Sequence, residues 1–126
     1  MVNYQSLLGR QWEYGVCDCY TLMRDYFALQ GVSLPNFERP EDLETCESVF
    51  LEQMPLNGFK EVGYGERCPG DILIMRLHTA TPMHAAVLLP DGKILHQRTN
   101  SLSTVEVLGR YYASKVAAVF RYEADR

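Results

Sequence analysis

Two cysteines flank one aspartate in GVCDCYTLMRDYF, residues 15–27, directly before a stretch with helical periodicity. A cysteine attacks as thiolate, and the first turn of a helix favours that form by placing the positive end of the backbone dipole beside the sulfur. Asp18 is a good N-cap, which puts Cys19 in that first turn. The Asp18 carboxylate opposes a thiolate, so a nearby imidazole is needed to hold a thiolate–imidazolium pair near neutral pH. His84 is the natural base, because it opens an apolar strand able to pack against the helix. Its ring would take the thiol proton and later pass it to a leaving amine. The base must itself be oriented, and His96 can offer its ring an acceptor nitrogen.

Each of these residues has a plainer reading. A cysteine beside an apolar helix face is more often a small core residue than a nucleophile, and a lone histidine is usually a surface or satisfied core residue. The conjunction of a capped cysteine with two histidines is what favours catalysis. A Cys₂His₂ zinc set of Cys17, Cys19, His84 and His96 is the other reading. Zinc pairs usually stand about two to four residues apart, so a one-residue gap is tight for two thiolates on one ion. The expectation is therefore no metal and no other cofactor. Cys46, on an apolar helical stripe, and Cys68, in a turn, read as structural; His78 reads as a loop residue and Asp71 as a turn former.

The elements that must position these groups follow from periodicity. A short helical turn is expected over residues 3–9. After Asp18, apolar residues Leu22, Met23, Tyr26, Phe27 and Leu29 recur at three- and four-residue spacing until Gly31, which predicts an amphipathic helix. Leu43, Cys46, Phe50 and Met54 predict a second helix ending at Pro55. Strands are expected from Gly58 to Val62, after the CPGD turn from Ile72 to Met75, from Ser103 to Leu108 and from Lys115 to Tyr122. Between them, HAAVLLPDGKILHQ (residues 84–97) reads as a hairpin. Pro90 and Asp91 suit the two central positions of a type I turn and Gly92 the left-handed position of a three-residue loop. That register sets His96 opposite Ala86 and makes His84 and His96 diagonal neighbours on one face, roughly 7 to 8 Å apart. A two-residue loop would slip the register by one and send them to opposite faces. Helices followed by a run of strands predict an α+β domain, N-terminal helices packed on an antiparallel sheet.

Composition limits the function classes. A length of 126 residues suits a single domain, 1–126, with one real core. A net charge of −4 gives no reason to expect nucleic acid as partner. No apolar run approaches the roughly 18 to 20 residues of a membrane span, and MVNYQSLLGR lacks the features of a signal peptide. Synthesis in the cytoplasm without self-directed export is the expectation, and all four cysteines read as free thiols there.

DCYTL at a helix start, PGDILIM introducing a strand, HAAVLL on the next and ILHQ after the turn stand in one order between residues 12 and 97. In this the chain resembles the NlpC/P60 family of cysteine peptidases, which have a papain-like fold. Within it, GRQWEYGVCDCYTLMRDYF followed by GVSLPNFERP is most similar to the tail assembly proteins of lambda-like phages, the K type. The resemblance implies a peptidase that cuts peptidoglycan stem peptides, typically next to γ-D-glutamyl, in association with other tail-tip proteins. It implies synthesis in the host cytoplasm and action at the virion tail tip, in the periplasm or cell wall. It carries the nucleophile onto Cys19, the base onto His84 and the polar third residue onto His96, with no counterpart for Cys17. Where many members have a tyrosine in a YxxGG segment, this chain has Trp12, with Tyr14 two residues later and only Gly15. Tyr20 and Thr21 replace the usual Ser-Gly after the cysteine. Asp18, Trp12, Tyr14 and Tyr20 are thus the candidates for the oxyanion and substrate site, together with the backbone N–H of Cys19. A structural tail-tip component without activity, or an amidase or acyltransferase acting on another amide or ester, are the rival expectations.

Overall fold

The computed structural model describes residues 3–36, 49–77 and 82–123. Among the described residues, helices α1 (Cys19–Ala28) and α2 (Val49–Leu56) precede the sheet. Strands β1 (Phe59–Val62), β2 (Ile72–Met75), β3 (His84–Leu89), β4 (Lys93–His96) and β5 (Thr104–Val107) follow, then α3 (Gly109–Ala113) and β6 (Val116–Tyr122). The strands form one antiparallel sheet in the order β1-β6-β2-β3-β4-β5. This is the expected α+β class, with α1 and α2 N-terminal to the sheet. The predicted turn near residues 3–9 is the short helical turn Gln5–Leu7.

Local chemistry explains why α1 starts where it does. The Asp18 carboxylate accepts from the Thr21 amide, while the Thr21 hydroxyl accepts from the Asp18 amide, a reciprocal cap that satisfies two backbone donors otherwise orphaned at a helix start. Leu22, Met23, Tyr26 and Phe27 then fall on one buried stripe. They pack on Ile72, Ile74, Ala85, Val87, Leu89, Leu95, Ala118 and Phe120, which alternate along the strands to cover one face of the sheet.

The opposite face is also covered, which alternation alone did not foretell. Leu73, Met75, Ala86, Leu88, Ile94 and Val119 meet Leu108 and Tyr112 there. All six residues of β3 are buried as a result. The helix that supplies Tyr112, α3, was not expected from sequence: its five residues are too few to show a helical period, and Leu108 offers no side-chain cap. The second helix extends one residue beyond Pro55, to Leu56, and its expected beginning at Leu43 and Cys46 lies outside the described residues.

The hairpin keeps the expected register: Leu89 pairs with Lys93, Leu88 with Ile94 and Ala86 with His96. Its turn differs from the expected form. Asp91, read as right-handed, adopts φ 66°, ψ 25°, so Asp91 and Gly92 are both left-handed. Aspartate tolerates this region better than most residues, and the loop length, which sets the register, is unchanged.

Candidate active site

Cys19 occupies the first position of α1, at the positive end of the helix dipole. The segment before it is pinned by a tight loop. Glu13 and Cys17 exchange backbone hydrogen bonds of 2.9 and 2.7 Å, Gly15 turns the chain with φ +80°, and the Gly15 amide donates to Asp18 Oδ2 at 2.8 Å. The backbone of Cys17 is therefore spent on closing the loop, while Cys19 faces β3. Its thiol meets the carbonyl oxygen of Met83, the residue immediately before His84, at 3.8 Å. Helix α1 packs along β3 and β4, so the predicted neighbourhood of Cys19 and the first residue of β3 is present.

The two histidines lie where the hairpin register requires. Nε2 of His84 and Nδ1 of His96 are 2.9 Å apart, with ring planes 77° to each other. Beyond them stands a group the sequence reading missed: Nε2 of His96 is 2.5 Å from Oε2 of Glu106, and the Tyr112 hydroxyl donates to the same oxygen at 3.0 Å. His96 pairs with Thr104, so Glu106, two residues on, repeats on β5 the diagonal that relates His84 to His96. The three side chains form a line across β3, β4 and β5 on one face. Alternation within residues 103–108 put Glu106 and Thr104 on a common side, but nothing in the connection after His96 fixes its register against β4.

Electrostatics follow from burial. His96, fully enclosed, is lowered from its ordinary 6.5 mainly by desolvation, against the raising effect of its hydrogen bond to Glu106 and that residue's charge; Arg98 adds a lowering push. Desolvation works to raise the Glu106 carboxyl, but hydrogen bonds from His96 and Tyr112, with the charges of His96 and Arg98, outweigh it and hold it below 4.5. At neutral pH the lowered Glu106 is ionised and the lowered His96 is neutral; the charge of His96 bears on Glu106 only once acid has protonated the ring. Tyr112 is raised by desolvation and then by Glu106, so it stays a protonated donor.

The four candidates for the substrate side divide into two pairs. Asp18 is 3% exposed and both carboxylate oxygens accept backbone amides; Tyr20 is 2% exposed, its ring against Phe50 and its hydroxyl donating to the Pro35 carbonyl. They hold α1 and the core together, and neither is presented to a ligand. Trp12 and Tyr14, by contrast, stack at 6.0 Å with ring planes 19° apart on the loop before Cys19, and Tyr14 is exposed. Of the remaining residues, Asp71 accepts from the Cys68 amide as a turn former and also takes Arg121 in a two-pronged ion pair. Cys17, Cys19 and Cys68 are free thiols. Cys46 and His78 lie outside the described residues. Among the described residues no group of three His, Cys, Asp or Glu side chains is placed to hold a metal ion, and no helix is long and apolar enough to cross a membrane.

Comparison with known proteins bears on the family and the fold. The model of the NlpC/P60 family matches residues 9–121. The chain is 33% identical over 121 residues to the tail tip assembly protein K of Escherichia phage lambda, a match covering 95% of this chain and 61% of that protein. Among solved structures, a lipoprotein-like NLP/P60 protein of Staphylococcus aureus superposes with a TM-score of 0.70 at 18% identity, over 97% of this chain and 39% of that one. The peptidoglycan hydrolase RipB of Mycobacterium tuberculosis gives 0.67 at 20% identity, over 97% and 62% respectively. The chain thus spans under two thirds of the length of these relatives. A capped cysteine, a strand-borne histidine pair and a family match over nearly the whole chain lead to one assignment: this protein belongs to the NlpC/P60 family.

Proposed function

We propose that the chain is a peptidoglycan hydrolase of a phage tail tip, a cysteine peptidase that cuts stem peptides at the γ-D-glutamyl amide bond. The observation that carries the reading is the hydrogen-bonded His84–His96 pair at the start of the strand whose preceding carbonyl touches the Cys19 thiol. Residues 1–126 act in this reading as one peptidase domain. The relation to the lambda tail tip protein supports a place in the virion tail beside other tail-tip proteins, and the likeness to a peptidoglycan hydrolase supports the substrate class. The chain would be made in the host cytoplasm and act in the periplasm or cell wall.

The mechanism uses the chain's own groups. The Cys19 proton moves from Sγ to His84, and the thiolate adds to the amide carbonyl carbon. The new oxyanion lies against the N-terminus of α1, where the Cys19 N–H is the first donor. His84 returns the proton to the departing amine as the carbon–nitrogen bond breaks, leaving a thioester. Water, losing a proton to His84, then releases the acid and restores the thiol. His96 keeps the base in the plane of attack, and the Trp12–Tyr14 stack offers a wall for the stem peptide beside Cys19.

The test is hydrolysis of purified muropeptides followed by mass spectrometry. Cys19→Ala is expected to abolish cleavage, a loss of at least about 10³-fold, whereas Cys17→Ala keeps most of it. Equal loss in both variants, with folding intact, would overturn the assignment. A phage carrying Cys19→Ala that infects normally would favour a purely structural tail component.

A further inference from the structure

We propose that Glu106, clamped by Tyr112, is a positioning residue that sets the proton arrangement of both histidines and so makes Nδ1 of His84 the nitrogen that receives the thiol proton. The inference rests on the reading of His84 as the base and adds the group, beyond His96, that decides its proton arrangement.

The argument is one of hydrogen-bond direction. An ionised carboxylate only accepts, so at 2.5 Å the His96 Nε2 must carry hydrogen. A neutral imidazole has a single N–H, so His96 Nδ1 holds a lone pair. At 2.9 Å from that lone pair, Nε2 of His84 must in turn be the donor. Neutral His84 then has its lone pair on Nδ1. Reversing any one step would set two lone pairs or two protons against each other inside a buried contact.

Several groups keep the carboxylate end of this chain of bonds fixed. The Tyr112 hydroxyl donates to Oε2 at 3.0 Å, and Arg98 Nε stands 3.7 Å from the same atom. The Tyr112 ring also meets the His96 ring edge to face, at 5.0 Å and 86°, which fixes its rotation. Because α3 exists to place Tyr112, the short helix after β5 gains a role in the site. When His84 takes up a proton, every bond in the line keeps its direction, and the new charge lies two rings from a carboxylate. The base can therefore cycle without rearrangement of its support.

Nitrogen-15 NMR of the histidine rings reads this arrangement directly in the full chain, without any substrate. The expected wild-type spectrum near pH 7.5 shows both His96 and His84 with hydrogen on Nε2. In Glu106→Gln the carboxamide can donate as well as accept, so His96 is expected to populate the Nδ1–H form. Iodoacetamide alkylation of Cys19 should then slow by about tenfold or more, its pH midpoint moving up toward that of an ordinary thiol. Tyr112→Phe should shift both readouts in the same direction, by less. A wild-type His96 protonated on Nδ1 would overturn the proposal, as would Glu106→Gln with unchanged ring signals or an unchanged Cys19 rate. Failure of the chain to cleave any muropeptide, with these signals as expected, would instead refute the substrate reading alone.

Discussion

At the scale of single residues, His96 shows how burial and partnership act together. Enclosure holds it neutral, while an ionised Glu106 takes its one ring hydrogen. A group whose folded pKa lies below its unfolded value binds protons more readily in the unfolded chain. Its contribution to stability is therefore fully present above about pH 6.5 and is lost as the pH falls toward its folded value. Glu106, lowered from 4.5, adds a second loss below that pH. The thermal midpoint should thus fall in two stages on acidification from pH 7.5. His96→Gln should flatten the stage that begins as the pH falls below about 6.5, and an unaltered slope in that variant would count against a buried neutral His96. Cys19, His84 and His96 were legible in the sequence because a cap and a turn fix their positions locally. Glu106 was not, because its place depends on a strand pairing that no turn residue specifies.

At the scale of elements, α1 and the β3–β4 hairpin carry the site, and both are written in short local signals. The reciprocal Asp18–Thr21 cap starts α1 at Cys19, and the Pro90-Asp91-Gly92 loop fixes which strand residues share a face. That loop adopted an unexpected conformation at Asp91 without altering its length, so register proved more predictable than dihedral angles. Asp18→Ala removes the acceptor of two backbone amides and should cost about 2 kcal/mol in urea unfolding. Asp18→Asn keeps one acceptor of the two, enough for the Thr21 amide, and should retain part of that stability. By taking a negative charge from beside Cys19, it should also let the thiolate form at lower pH. Equal destabilisation by both substitutions would show that one capping oxygen alone contributes little. The short helix α3 had no comparable signal, since its formation depends on packing Leu108 and Tyr112 onto a sheet face already assembled.

At the scale of the whole molecule, the sheet serves as a partition between two supporting layers. Helices α1 and α2 belong to the core on one side, and the α3 core lies on the other, with His84 and His96 on the α3 side by alternation with Ala86 and Ile94. Thiol and imidazoles therefore come from different layers, related through the start of β3 where Cys19 contacts the Met83 carbonyl. The N-terminal segment ties this end of the molecule together: Ser103 bonds Leu7 and Arg10, and Gln97 donates to the Arg10 carbonyl. The α+β class was legible because helical periods precede alternating ones along the chain. The second core was not, because strands buried on both faces, such as HAAVLL, do not show which side lacks a partner. Cys19 and His84, the proposed nucleophile and base, come from different elements that meet at the start of β3, so the most direct test is the pH dependence of iodoacetamide labelling, with the modified cysteine identified by mass spectrometry. Selective labelling of Cys19 well below the ordinary thiol value of about 8.5, lost in His84→Ala, is the predicted result. Cys19 labelling no faster than Cys17 or Cys68, or unchanged by His84→Ala, would contradict an activated Cys19–His84 pair.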